Sequence, residues 1–418
     1  MENVKNTCLK SVTILDIKSP HHLKKVDVWI EKGIIKKIGK SIVATVQTKE
    51  ISGQELFLSN GWIDGQVRVG EPGNEDAETF SSASDAARKG GITDLVVFPS
   101  HQPPTYQAAQ IAYIKQNGRN GVTFHPVGCL SEQMKGKQLS EMYDMKNAGA
   151  IAFSDDKNAV STTLLARALE YSKTFNGLVI VLPFNHELNP GGLVHEGKTS
   201  TLMGTKGLSN VSEFIQIQHD LEILKYTGGK LHFSNISCAE SVDLIRKAKK
   251  SGLAVTCGIA AHQLSFIDED LKMFPSNLKV LPPYRSNKDR EALIKGLLDN
   301  TIDMIMSDHT PVVIEEKNVE FEYAAFGMNS LQHGFQMAYT ALEGDLTLAQ
   351  IVDKWTTQPA QIFGIQSPTI QEGAPIRATL FSTAENTLVE KKDWKSKSMN
   401  SPFIGEWLRG KVIATFNS

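Results

Sequence analysis

Two residues of one apolar run, Gln66 and Arg68 of GWIDGQVRVGEPG, have the spacing of side chains that project together from a strand. Residues i and i+2 of a strand point to the same face, so both side chains approach one centre. A guanidinium stays protonated and only donates hydrogen bonds, so Arg68 cannot ligate a cation. Asp156 of FSDD and Asp308 of SDHTP follow two later apolar runs. Two carboxylates alone make a weak site for a hard cation, since zinc prefers N and S ligands and three or four of them.

Eight short apolar runs that alternate with helical patterns must position these residues. The runs are IDGQVRV, ITDLVVF, VTFHPVG, AIAFS, LVIVLP, KLHFSNIS, LAVTCG and IDMIMS. Segments such as TLLARALEYSK and KDREALIKGLLDN carry apolar residues at i, i+3 and i+4, which is typical of amphipathic helices. Eight strand–helix units predict an α/β protein with a (β/α)8 TIM barrel, whose active site lies at the C-terminal ends of the strands. We expect this barrel to span residues 59–366.

The two ends of the chain have a different pattern of apolar residues. From Val12 to about Leu58, short apolar alternations are broken by Gly and Pro, and PIRATLFST and GKVIATF repeat this pattern after Gln366. One β layer alone cannot bury its apolar face. We therefore expect residues 1–58 and 367–418 to form one small discontinuous β domain.

Composition excludes several classes of function. The chain has 418 residues and a formal net charge of −2. Its net charge therefore provides no strong electrostatic attraction to nucleic acid or to a membrane surface. No apolar stretch reaches the roughly 20 residues that span a bilayer. The cysteines show no Cys-x-x-Cys spacing, which argues against a structural zinc or a disulfide framework. They are Cys8, Cys129, Cys238 and Cys257. We expect a cytoplasmic protein.

Several motifs occur in an order that characterises one family. They are GWIDGQVRVGEPG, KGGITDLVVFPS, GAIAFSDD, VHEG, LPPYR, SDHTP, FGMNSLQ and SKSMNSPFIGEWLRGKV. In these motifs the chain resembles the bacterial and multifunctional-type dihydroorotases of the amidohydrolase superfamily. The resemblance implies a barrel enzyme of pyrimidine biosynthesis that hydrolyses a cyclic amide, with carbamoyl-aspartate and dihydroorotate as its reactants. It also implies two zinc ions held by four histidines and two aspartates.

The resemblance places none of the four histidine positions on a histidine. They fall on Gln66, Arg68, Pro183 and Asn235. The bridging acid falls on Asp156, and the metal ligand that also acts as general base falls on Asp308. Proline has no side-chain donor atom, and an Asn amide is a poor zinc ligand beside imidazole. We therefore expect no zinc and no other cofactor, with Asp308 as a vestigial general base.

The positions that the resemblance assigns to substrate recognition have changed as well. In the family they are usually Arg, Asn, Asn and His. Here they are Gly70, Ser100, Leu281 and Val312. Bidentate Arg–carboxylate pairs depend on charge and fork geometry, which Gly70 and Leu281 cannot supply. Dihydroorotate and carbamoyl-aspartate should bind poorly.

The difference between the activation that zinc provides and that of a general base alone favours a pseudoenzyme. Zinc lowers the pKa of bound water from about 15.7 to about 7, which is roughly 11 to 12 kcal/mol of activation. An unaided general base contributes typically about 10²–10⁴-fold, or roughly 3 to 5 kcal/mol.

Alternatively, Asp156 and Asp308 only cap backbone amides in their loops. We also hypothesise that Arg68 lies within hydrogen-bonding reach of one or both acids, because two carboxylates without a counter-charge would repel.

Three functional interpretations remain open. The first is a structural or regulatory subunit, by analogy with inactive dihydroorotase homologues that assemble with aspartate carbamoyltransferase, and a homodimer is the default state. The second is a metal-independent enzyme with another ligand in a pocket lined by Arg68, Asp156, Asp308 and Arg285. The third is an active dihydroorotase.

The histidines leave one further option. A migrated metal site could use Asp308 with His309, whereas His232 lies three residues before Asn235 and should face the other side of its strand.

Overall fold

The computed structural model describes residues 6–43 and 48–417. Its strands are β1 (Thr7–Leu15), β2 (Lys25–Glu31), β3 (Ile34–Gly39), β4 (Lys49–Ile51), β5 (Leu56–Asn60), β6 (Trp62–Val67), β7 (Ile92–Val97), β8 (Thr123–Gly128), β9 (Ala152–Ser154), β10 (Val179–Val181), β11 (Val194–His195), β12 (Gly207–Leu208), β13 (Leu231–Phe233), β14 (Val255–Ala260), β15 (Met304–Met306), β16 (Arg377–Leu388) and β17 (Trp407–Asn417). Its helices are α1 (Phe80–Lys89), α2 (Ala108–Gln116), α3 (Met142–Ala148), α4 (Thr162–Lys173), α5 (Lys198–Met203), α6 (Val211–Thr227), α7 (Ala239–Lys250), α8 (Asn287–Leu298), α9 (Ile314–Lys317), α10 (Gly334–Leu342), α11 (Leu348–Asp353) and α12 (Thr357–Phe363).

Eight parallel strands form the predicted barrel, in the order β6, β7, β8, β9, β10, β13, β14, β15. The seam between β15 and β6 is joined just beyond β15, where Val67 pairs with His309 and the Arg68 amide donates to the His309 carbonyl at 3.0 Å. The Ser307 amide also donates to Asp64 Oδ1 at 3.0 Å. All eight strands expected from the sequence are present, and the α/β barrel is confirmed.

The barrel strands are apolar on both faces because both faces are covered. One cluster fills the barrel interior and its lower end, where α12 contributes Phe363. Its strand residues include Ile63, Val96, Val127, Ile180 and Met304. The intervening strand residues, such as Leu95, pack outward against the helices. A parallel strand buried on two sides therefore appears as a continuous apolar run, the signal that the sequence carried.

The chain ends combine into one seven-stranded sheet. Its order is β17, β16, β5, β1, β2, β3, with β4 paired to β1. The expectation that the N- and C-terminal β segments pair is confirmed by β16, which runs antiparallel to β5 with Ala378 opposite Asn60. Arg377 of β16 also contacts Asp94 of β7, and Asp94 Oδ1 lies 2.5 Å from His125 Nε2. Asp94 is buried, and these contacts join the sheet to the N-terminal part of the barrel.

Within the described ranges, none of the helices combines the length and the apolar character that a membrane crossing requires.

Candidate functional site at the barrel mouth

Arg68 lies between the two acids that the sequence singled out. Its Nε and Nη2 donate to Asp156 Oδ2 and Oδ1 at 2.7 and 2.5 Å, and its Nη1 donates to Asp308 Oδ1 at 2.7 Å. Nη1 also donates to Thr310 Oγ1 at 2.9 Å. Arg68, Asp156 and Asp308 are 8%, 4% and 5% exposed, so the charges are largely removed from water. The hypothesis that Arg68 reaches both carboxylates is confirmed.

The backbone directs both acids toward Arg68. Asp156 and Asp308 have φ angles of +51° and +52°, in the left-handed region that Asp tolerates better than most residues. Each follows a strand by two residues, and a serine hydroxyl steadies each turn. The Ser154 hydroxyl accepts from the Asp156 amide at 3.0 Å, and the Ser307 hydroxyl accepts from the His309 amide at 3.1 Å. Left-handed residues held in this way are typical of constrained sites.

Three further substituted positions also donate to the acids. Gln66 Nε2 and Asn235 Nδ2 donate to Asp308 Oδ1 and Oδ2 at 3.0 and 3.2 Å. The Ser100 hydroxyl donates to Asp156 Oδ2. Four positions that the resemblance assigns to metal or substrate contacts therefore supply hydrogen-bond donors, all directed at the same two carboxylates. We call these four residues and the two acids the donor–acid cluster.

The charges of this cluster are balanced locally. Burial alone would raise the pKa of Asp156, but the charge and hydrogen bonds of Arg68 outweigh burial and hold the pKa below its usual value. Burial opposes the charge of Arg68 as well, yet Asp156 and Asp308 together raise its pKa. Burial and the nearby Arg68 charge lower the pKa of Lys157 to about 8, so this lysine stays mostly protonated at pH 7. The cluster itself has a formal charge of −1, and the neighbouring Lys157 ammonium brings the sum to zero.

The other four substituted positions offer no polar side-chain atom to this cluster. A Cβ on Gly70 would lie 1.9 Å from the Asn74 carbonyl oxygen, so the local backbone leaves no room for a side chain. Pro183 and Val312 are buried, and Leu281 is half-buried before a cis proline. These four positions therefore contribute only apolar surface or backbone.

The migrated metal site built on Asp308 and His309 is wrong in geometry. His309 turns away from Asp308, with Nε2 3.2 Å from Glu78 Oε2. Its Nδ1 accepts from the Ser330 and Leu331 amides at 3.4 Å each. Both ring nitrogens are therefore committed to a buried network behind the barrel mouth.

Sequence reasoning missed His262, which approaches the cluster from the segment after β14. Its Nε2 lies 4.0 Å from Asp308 Oδ2, and no hydrogen-bond partner for Nε2 appears among the described residues. Its Nδ1 lies 3.1 Å from the Tyr284 hydroxyl. Burial lowers the pKa of His262 to about 4, so the imidazole is neutral at pH 7 and leaves the neutralisation of Asp308 to Arg68.

The depressed pKa of His262 predicts a measurable pH dependence of stability. The unfolded residue binds a proton below about pH 6.5, whereas the folded residue does so only near pH 4. Acidification from pH 7 to pH 4 should therefore cost the folded state about 3 kcal/mol through this residue. Urea unfolding should show that wild type loses about 3 kcal/mol more than His262→Gln over this range. Parallel stability curves for the two proteins would contradict the assignment.

Two other expectations need correction. Arg285 makes its contacts away from the two acids: its guanidinium donates to the Leu208 carbonyl and the Ser237 hydroxyl and lies 3.5 Å from Glu213. His232 does not face the side opposite to Asn235, since its ring contacts Phe363 of the interior cluster while Asn235 donates to Asp308 at the barrel mouth. Strand β13 ends at Phe233, and the strict alternation used for His232 does not continue beyond that residue.

The residues present do not fit a zinc pair. Arg68, Gln66 and Ser100 direct protons at the carboxylates, where metal ligands must present lone pairs. Asn235 uses its carbonyl oxygen to accept from the Ala260 amide at 3.2 Å and its amide to donate to Asp308. In the described part of the chain, no three His, Cys, Asp or Glu side chains are grouped to hold a metal. The donor set is suited to neutralising two anions.

Comparisons with known proteins agree with this architecture. The family model described as "Dihydro-orotase-like" matches residues 56–241. A protein named dihydroorotase from Syntrophus aciditrophicus is 36% identical over 94% of this chain and 93% of its own length. One of the same name from Acetivibrio thermocellus is 38% identical over 93% and 92%.

Solved structures show the same fold. The L-hydantoinase (dihydropyrimidinase) of Arthrobacter aurescens superimposes with a TM-score of 0.83 at 22% identity, covering 99% of this chain and 97% of the other. A D-hydantoinase gives a TM-score of 0.81 at 18% identity, covering 99% and 94%. At these identities the likeness concerns the fold alone.

Proposed function

Because this chain belongs to the dihydroorotase-like family of amidohydrolases, we propose that it is a family member of pyrimidine biosynthesis that has lost zinc binding and catalysis. In this proposal it acts as a structural or regulatory subunit. The observation that carries the proposal is the position of Arg68, whose guanidinium bonds to Asp156 and Asp308 where the resemblance implies metal ions.

The cluster chemistry supports loss of hydrolysis. A general base must accept a proton from an attacking water, but both oxygens of Asp308 already accept from Arg68, Gln66 and Asn235. These donors occupy the oxygens to which an attacking water would have to donate its proton. Even a free base would contribute only about 3 to 5 kcal/mol of the roughly 11 to 12 kcal/mol that a zinc-bound hydroxide provides. Water activation at Asp308 is therefore too weak for turnover.

Loss of substrate recognition is supported by the same loops. Gly70 has no space for a side chain, and Leu281 offers only apolar atoms to an acidic substrate. Neither residue can form a bidentate, charge-assisted pair with a carboxylate. Dihydroorotate would have to bind without its anionic anchors.

A scaffolding role is supported by the well-connected segment 396–400. The Asn329 amide donates to the Ser398 carbonyl at 2.8 Å, and the Asn400 amide donates to the Thr310 carbonyl at 3.1 Å. These bonds hold the C-terminal segment against the loop after β15 and stabilise the barrel mouth without a metal. We propose a homodimer that assembles with aspartate carbamoyltransferase, the arrangement suggested by inactive homologues of this family.

One experiment tests the loss of function directly. The purified protein, loaded with excess zinc and dialysed, should contain well below one zinc per chain by elemental analysis. It should also give no dihydroorotate hydrolysis above the buffer rate. About two zinc ions per chain with turnover would overturn the proposal. Size-exclusion chromatography with aspartate carbamoyltransferase from the same organism then tests the subunit role, with a shared peak as the supporting result.

The alternative is an active dihydroorotase. The names and the 36–38% identity of its relatives favour this function. It requires Arg68 to leave both acids and other side chains to supply the ligands. The zinc and turnover measurement separates the two functions.

A further inference from the structure

Three side chains on the rim of the barrel, outside the donor–acid cluster, stand in a hydroxyl–imidazole–carboxylate relay. Thr162 Oγ1 lies 2.8 Å from His219 Nε2, and His219 Nδ1 lies 2.8 Å from Asp220 Oδ1. We call Thr162, His219 and Asp220 the rim triad. Both distances are within the hydrogen-bonding reach that activates a hydroxyl nucleophile. The relay has the order of groups found in hydrolytic triads, which are recognised by geometry rather than by sequence position.

Two packed helices hold the rim triad in place. Thr162 is the first residue of α4, whereas His219 and Asp220 lie in the middle of α6. Asp220 is 2% exposed, and Gln216 Nε2 donates to its Oδ1 at 2.9 Å. A buried carboxylate fixed in this way accepts the Nδ1 proton of His219. In the neutral tautomer with its proton on Nδ1, Nε2 carries the lone pair and can accept from the Thr162 hydroxyl.

Solvent can reach the reacting end of the rim triad. The His219 side chain is 38% exposed, and Thr162 is exposed at the start of its helix. The hydrogen bond to Asp220 raises the pKa of His219, and burial raises the pKa of Asp220. The relay therefore combines a buried orienting acid with an accessible hydroxyl and base, the division of roles that nucleophilic catalysis requires.

A groove of about 670 Å³ opens directly onto Thr162 and His219. Val160, Phe184 and Ile215 line it with apolar surface. Its other titratable lining side chains are Lys135, His186 and Glu187. The groove is open to solvent, and its three apolar side chains offer contact surface to a short acyl group.

Acyl transfer also requires stabilisation of an oxyanion, and the start of α4 offers backbone amides for this role. The first amides of a helix have no intrahelical acceptor. The Ser161 hydroxyl accepts from the Leu164 amide at 3.3 Å, which leaves the amides of Thr162 and Thr163 without an acceptor inside α4. An amide that follows the nucleophile at a helix N-terminus is a recurrent oxyanion donor. The positive end of the helix dipole adds to this effect.

We infer that the rim triad and its groove form a second, metal-independent site that transfers acyl groups from small apolar carboxylic esters. Thr162 Oγ1 attacks the ester carbonyl carbon while His219 Nε2 takes the hydroxyl proton. The bond to the leaving alkoxide then breaks, and His219 returns the proton to release the alcohol. A water molecule hydrolyses the threonyl ester by the same route and releases the acid. Asp220 is the positioning residue that keeps the His219 lone pair on Nε2.

A fluorophosphonate probe tests the nucleophile without knowledge of the natural ester. Its phosphorus reacts with an activated hydroxyl and releases fluoride. We expect intact-mass and peptide mass spectrometry of the full chain to find one adduct on Thr162. The rate should rise with pH through the pKa of His219. Because general base catalysis contributes about 10²–10⁴-fold, Thr162→Val and His219→Gln should each lower the rate at least about tenfold.

Matched variants separate chemistry from structure. Thr162→Ser keeps the hydroxyl and should retain labelling, and Thr174→Val changes an exposed threonine at the other end of α4 and should label like wild type. Asp220→Asn should move the pH profile to lower pH, which a purely structural role would not do. Failure to label Thr162 in wild type would overturn the inference, as would equal labelling rates in wild type and His219→Gln. Zinc content and dihydroorotate turnover are independent of these results.

Discussion

Replacement of Arg68 by methionine is expected to destabilise the folded protein by about 3–5 kcal/mol, because it leaves two buried carboxylates without their counter-charge. Arg68 makes three hydrogen bonds to these acids, and both are nearly buried. Methionine fills a similar volume with apolar atoms, so the loss reports on charge more than on a cavity. Unfolding in guanidinium chloride at pH 7 measures the change in the free energy of unfolding.

Two controls isolate the electrostatic part of this loss. Arg167→Met changes an exposed arginine of α4 and should alter stability by less than about 0.5 kcal/mol. The triple variant Arg68→Met, Asp156→Asn, Asp308→Asn removes the uncompensated charges and should recover most of the stability. If the single and triple variants are equally unstable, the loss is one of packing and the electrostatic account of Arg68 is wrong.

The double substitution Gln66→His with Arg68→His is expected to create a zinc site. Gln66 of β6 and Arg68, which directly follows that strand, already contact Asp308, so two imidazoles there would join the two carboxylates. Four N and O ligands satisfy the usual coordination of zinc. Structural zinc sites bind with about 10–16 kcal/mol, so affinity should improve at least about 100-fold over wild type. Equilibrium dialysis with elemental analysis measures the bound metal.

A control removes the arginine without supplying imidazoles. Gln66→Asn with Arg68→Met frees both acids but leaves only two carboxylates, so zinc affinity should remain weak. Added zinc should raise the unfolding temperature of the double histidine variant alone, because binding to the folded state is linked to stability. Equal zinc binding by wild type and the histidine variant would show that Arg68 does not block the site.

The sequence predicted much of the fold because buried parallel strands have a simple signature. All eight barrel strands appeared as apolar runs, and the pairing of the two chain ends followed from the need to cover one β layer. The contact of Arg68 with the acids was also predictable, since residues two apart on a strand share a face and a buried cation requires anions.

Other parts of the site depend on long-range packing that local patterns do not encode. His262 lies in a 3-10 turn directly after β14 and approaches Asp308, and Arg285, which precedes α8, contacts Glu213 of α6. His232 was assigned to the wrong side because β13 loses its regular alternation after Phe233. The contact between Thr162 and His219 joins two helices and leaves no periodic signal in either.

The bonds of Arg68 connect parts of the chain that are far apart in sequence, 88 residues from Asp156 and 240 from Asp308. Contacts of such separation form only after much chain entropy has been lost, so they are expected late in folding, when the last strand reaches the first. Interactions absent from the folding transition state act mainly on the unfolding rate. We therefore expect Arg68 to slow unfolding, which would lengthen the lifetime of the closed barrel and its resistance to proteolysis.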